Sequence, residues 1–172
     1  MAFSERESRA SFLRTFVFGV EDSLVSTVGL LSGIAIAGVP QKAILVSGVV
    51  LVSVEAFSMA VGSFLSEQSA EEFLEKKEVS PSNSIANGLL MFVSYFCSGI
   101  IPLFPYALLP LGSAFWVSIV FSLAALFVLG VVRARISGLR QMKNAISMVV
   151  IGGIAIAVGI AAGMAATSVQ SF

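Results

Sequence analysis

Asp22, Glu55 and Met59 are the side chains whose types and spacing point to chemistry. Asp22 stands beside Glu21 inside FVFGVEDSLVSTVGLLS, residues 16–32, a run otherwise apolar enough to lie in a membrane. A charged side chain at a bilayer centre costs about 2.5–3.5 kcal/mol on insertion scales, so a carboxylate kept there implies a compensating partner. A cation is such a partner. Glu55 precedes Met59 by four residues, which places a second carboxylate and a thioether on one helix face, one turn apart. Carboxylate oxygen suits Fe(II) and Mn(II), while thioether sulfur favours transition metals over Mg(II) and Ca(II).

Composition dictates the elements that must position these groups. The 172 residues are 57% hydrophobic and 12% charged, with a mean hydropathy of +0.98, too apolar for a soluble domain. The chain reads as an integral membrane protein. A net charge of zero and dispersed Lys and Arg exclude a nucleic-acid footprint. Cys97 is single and expected to pack in the bundle, and the lack of His removes the commonest metal ligand and proton shuttle. A metal site must therefore use carboxylates, Met, hydroxyls or carbonyls. An intramembrane hydrolase has little support, because no nucleophile–base pair is recognisable.

Crossing about 30 Å of hydrocarbon takes about 20 apolar residues. Five such stretches occur, at 16–37, 42–64, 85–104, 113–132 and 144–166, which predicts an all-α fold of five transmembrane helices. A short N-terminal segment, 1–15, precedes the transmembrane domain, 16–172, which carries a polar acidic connector at 65–84. Gly38-Val39-Pro40, Ser80-Pro81-Ser82-Asn83 and Pro105 to Gly112 punctuate the joints, with Pro102 and Pro105 expected to break the outer end of the third helix. A signal peptide is the alternative for the N-terminus, but Glu21 and Asp22 interrupt the apolar core it requires.

With the N-terminus in the cytoplasm, every basic residue except Lys42 falls inside, as the positive-inside rule requires, and the C-terminal tail, Ser168 to Phe172, lies outside. The first helix then runs outward and the second inward, so Asp22 and Met59 sit at similar depth and Glu55 one turn deeper. Gly19, Asp22, Ser26, Gly29 and Gly33 make a small and polar stripe on the first helix; Gly48, Glu55, Met59, Gly62 and Ser66 make another on the second. Small residues let helices approach closely, so Gly19, Gly29, Gly33 and Gly62 are candidate packing positions. Gly159-Ile-Ala-Ala-Gly163 repeats the pattern on the fifth helix, and the bulky fourth (Phe115, Trp116, Phe121, Phe127) reads as peripheral.

FVFGVEDSLVSTVGLLSG, EAFSMAVGSFLSEQS at 55–69 and IIPLFPYALLP at 100–110 together resemble the vacuolar iron transporter (VIT-like) family over almost the whole chain. The resemblance implies a homodimer with a metal path at its interface, formed by the first helices, that moves Fe(II), or in some branches Mn(II), out of the cytosol in exchange for protons. It implies no permanent cofactor; the ion is cargo. The family's first-helix aspartate falls on Asp22 and its second-helix methionine on Met59. Three departures stand out. The acid often found two turns before that Met is Leu51, with Glu55 one turn closer; the Gly-Glu-Tyr after it is Gly62-Ser63-Phe64; and the cytoplasmic metal-collecting domain is reduced to residues 65–84.

In that remnant Glu67, Glu71, Glu75 and Glu78 are spaced to line one face of a short helix, where they would attract divalent cations or simply form a solvated face. Glu21 is either a pathway residue or an interfacial one, and Ser26 either hydrates an ion or bonds its own backbone. The expected partners are a second copy of the chain, lipid, divalent metal and protons. A prokaryotic plasma membrane is the expected location, with a vacuole-type membrane as the alternative. The rival function is a membrane scaffold that keeps the fold without transport.

Overall fold

Inside a bilayer each backbone polar group must find its partner within the protein, so apolar runs of this length fold as helices. The computed structural model describes the backbone of residues 5–170 and the side chains of 8–168. The first four residues of the N-terminal segment, the side chain of Arg6 and the Ser171-Phe172 end of the tail lie outside the described residues. Five helices follow in order: α1 (Glu5–Ile36), α2 (Gln41–Glu75), α3 (Ser82–Leu108), α4 (Leu111–Ile136) and α5 (Gln141–Gln170). All five are long and apolar enough to cross a membrane.

The turns carry their own chemistry. At the end of α1, Gly38 takes φ +79°, Val39 N donates to Ile34 O and Gly38 N donates to Ala35 O, the paired bonds of a Schellman stop. Pro40 follows and starts α2, its carbonyl accepting from Ile44 N at 3.1 Å. Pro81 and Pro110 open α3 and α4 in the same way.

Helix lengths differ from the apolar stretches in two places. α1 and α2 each extend about three turns past their apolar runs at the end of the bundle that carries most of the basic residues, here called the basic end. α3 does not break at Pro102 or Pro105; it continues to Leu108, and the joint to α4 shrinks to Leu109-Pro110. The Pro102 carbonyl accepts from Ser118 Oγ at 2.7 Å, and the Pro105 carbonyl from Leu109 N at 2.9 Å. Neighbouring side chains and local adjustment are how membrane helices accommodate proline.

α2, α3, α4 and α5 pack in sequence as an arc, and α1 lies in its hollow, touching all four. The arc is open between α5 and α2. α1 meets α5 closely because glycines face glycines. A methyl group on Gly163 would lie 2.7 Å from the carbonyl carbon of Gly33, and one on Gly159 would lie 3.0 Å from the Gly29 Cα. The two small-residue patterns therefore meet each other within one chain. Gly19 instead packs on α3, against Met91 and Ser94, so the α1 stripe is shared between two neighbours. Gly62 has nothing within 4 Å of a built Cβ and makes no helix contact within the chain, because it lies on the exposed face of α2. Cys97 is likewise exposed, not packed, and Trp116 on α4 is 66% exposed, as a lipid-facing side chain would be.

Two apolar clusters hold the bundle. Leu31, Ile44, Val52, Leu103 and Tyr106 fill the end near the α1–α2 turn, and Val17, Leu24, Leu126, Leu129 and Met148 fill the other half between α1, α4 and α5.

Candidate functional site

Where the arc is open, α1, α2 and α5 line a groove of about 680 Å³. Its walls are mostly small and apolar, from Gly29, Gly33, Gly159 and Gly163, and its polar lining comes from Ser26, Glu55 and Thr167. Glu55 is half-buried at the head of this groove.

Glu55 is held from two sides. Ser26 Oγ on α1 donates to Glu55 Oε2 at 3.2 Å, and the Tyr95 hydroxyl on α3 donates to the same oxygen. Ser26 and Tyr95 are themselves 2.8 Å apart, oxygen to oxygen. Tyr95 is fully buried, and Ser23 Oγ on α1 bonds its carbonyl at 2.6 Å, which fixes α3 against α1 at this level. One carboxylate oxygen thus takes two donors while the other is free to accept from something in the groove. Tyr95→Phe removes one bond to a charged acceptor, worth about 1.5–3 kcal/mol. The expected result is a lower melting temperature in detergent, with the helical content of the folded protein unchanged by circular dichroism.

The Ser26–Glu55 bond also sets the antiparallel register of α1 against α2. Asp22, one turn before Ser26, is therefore level with Met59, one turn after Glu55. Asp22 is half-buried and within electrostatic reach of Glu55 and Tyr95. Met59 opens into a different space, a cavity of about 410 Å³ at the basic end shared with Arg14, Glu67 and Met91. Glu21 points elsewhere again, into a cleft between α1 and α4 with Arg133.

The connector acids are already engaged. Glu67 accepts from Ser11 Oγ at 2.8 Å and pairs with Arg14 at 3.3 Å. Glu71, 7% exposed, has Asn83 Nδ2 at 3.5 Å, and Glu75 pairs with Lys77 at 3.3 Å. Glu78 does not share their face: Lys76 adopts φ +51°, the helix stops at Glu75, and Glu78 lies in the connection that follows. Among the described residues, no three Cys, Asp or Glu side chains converge closely enough to hold a metal within one chain.

Sequence reasoning missed Tyr95. The signal was ambiguous: both tyrosines of the chain lie in apolar runs where a phenol usually finds an acceptor, yet Tyr95 bonds Glu55 while the buried Tyr106 hydroxyl has no partner among the described residues.

Comparison with known proteins bears on what such an arrangement does. The sequence profile of the VIT family matches residues 13–81 and 72–164. A vacuolar iron transporter 1 from Tulipa gesneriana is 24% identical over 217 residues, spanning 91% of this chain and 88% of that protein. A vacuolar iron transporter 1 from Arabidopsis thaliana is 22% identical over 83% of this chain and 81% of its own. A vacuolar iron transporter homolog 2 from Oryza sativa subsp. japonica reaches 44% identity, over 34% of this chain and 31% of that protein.

Proposed function

This chain belongs to the VIT family, an integral-membrane family of metal-ion transporters and not of enzymes, and on that premise we propose that it exports Fe(II), with Mn(II) as alternative cargo, by proton antiport. The path runs where two copies meet across the open side of the arc, with the basic end in the cytosol. The observation that carries this reading is Glu55, a carboxylate amid apolar helices that lines an open groove in the single chain. Left against hydrocarbon it would be costly; covered by a second copy and a cation it is not.

A twofold axis doubles Asp22, Glu55 and Met59, giving a ligand number that one chain does not reach. Carboxylate oxygen with a single thioether per subunit suits a borderline divalent ion that must also be released. Protons and metal compete for the same carboxylate oxygens, which couples one flux to the other.

The scaffold alternative draws on the connector, where Glu67, Glu71 and Glu75 already have protein partners. Fe(II) influx into proteoliposomes containing a chelating dye, with and without a pH gradient, separates the two. Transport predicts flux that rises with an acidic lumen and drops several-fold in Met59→Ala. Folded protein that moves none of Fe(II), Mn(II) or Co(II) above empty liposomes supports the scaffold.

A further inference from the structure

The cavity at the basic end brings together two methionines from different helices, Met59 of α2 and Met91 of α3, with Glu67 and Arg14 at its wall. Met91 is 3% exposed overall, yet it lines this space. Gly19 makes room for it: a methyl group at Gly19 would lie 3.1 Å from the Met91 sulfur, so the sulfur sits in a notch on α1, one turn toward the basic end from Asp22. The cavity is wide enough for a partly hydrated ion, and its remaining polar walls are hydroxyls such as Thr15 and Ser66.

We infer that Met59 and Met91 form a two-sulfur site for a transition-metal cation, with the Glu67 carboxylate as its anionic ligand, at the mouth of the path below Asp22. The chemistry is that of soft donors. Two thioethers bind Mg(II) and Ca(II) poorly and bind thiophilic or borderline ions well, and one carboxylate supplies charge. Glu67 is held meanwhile by Arg14, whose side chain is 74% exposed, and by Ser11. When metal takes the carboxylate, the exposed guanidinium moves into water and the metal's own charge replaces it beside Glu67, whose side chain is 13% exposed. Met as simple filler accounts for a buried Met91. It does not account for both sulfur-bearing side chains lining the same cavity as the Glu67 carboxylate, next to the acid path.

The role in selecting cargo rests on the transport reading; the metal site itself does not. The first test is Cd(II) X-ray absorption on purified full-length protein. Two sulfur neighbours are expected in wild type, one in Met91→Leu or Met59→Leu, and none in the double variant. Leucine conserves volume, so the fold is retained. Selenomethionine-substituted wild type needs no mutation and should show selenium in place of sulfur. Cd(II) surrounded by oxygen alone in wild type, or a sulfur shell unchanged by Met91→Leu, overturns the site. In proteoliposomes Met91→Leu should lower Fe(II) flux relative to Mn(II) several-fold, whereas a purely structural Met91 would lower both together. If wild type moves no metal but shows the two-sulfur shell, the transport reading fails and the site stands.

Discussion

Asp22→Ala is expected to bring metal flux down to that of empty liposomes. An intramembrane carboxylate offsets a charge that would otherwise cost about 2.5–3.5 kcal/mol to hold at that depth, which corresponds to about a hundredfold in rate. Asp22→Asn, which keeps shape and hydrogen-bonding capacity but loses charge, should fail as well. Glu21→Gln should stay close to wild type, because Glu21 faces Arg133 across α4 and not the Glu55 network. Two adjacent carboxylates thus give opposite expectations. Dye-quench flux on matched amounts of folded protein reads the difference: wild-type flux in Asp22→Ala would remove Asp22 from the path, and equal loss in both variants would place Glu21 in it as well.

The second large effect is on stability. Gly159→Ala should reduce folded yield and melting temperature sharply, since its methyl group meets the Gly29 backbone and not a flexible side chain. Overpacking a close contact costs about 1–3 kcal/mol, and here neither helix can yield without separating. Gly163→Ala acts on Gly33 in the same way, and the double variant is expected not to assemble. Gly153→Ala is the control: a Cβ there has nothing within 4 Å, so the melting temperature should hold.

Five helices were legible because hydropathy reports the membrane directly. The helix ends were not, because α1 and α2 continue into water on polar residues that form helices well but carry no hydropathy signal. Asp22 and Glu55 stood out as acids in apolar runs, and their register followed from counting residues. Partner choice was only half legible: Gly29 and Gly33 announced a close contact and Gly159 and Gly163 repeated the pattern on α5, but nothing in the spacing said that the two would meet within one chain. Pro102 and Pro105 read as breakers because local sequence does not show the support they receive: the Pro102 carbonyl is bonded by Ser118, a residue on another helix. Glu78 left its expected face through the backbone angle of Lys76, which a spacing pattern does not encode.

The pairing of Gly29 and Gly33 with Gly159 and Gly163 has a consequence for biogenesis. The glycine face of α1 is walled in by α5, which comes after three other helices in the chain. Until α5 has been synthesised that face lies open in the bilayer, so the tightest helix contact of the bundle closes only after α2, α3 and α4 have been made.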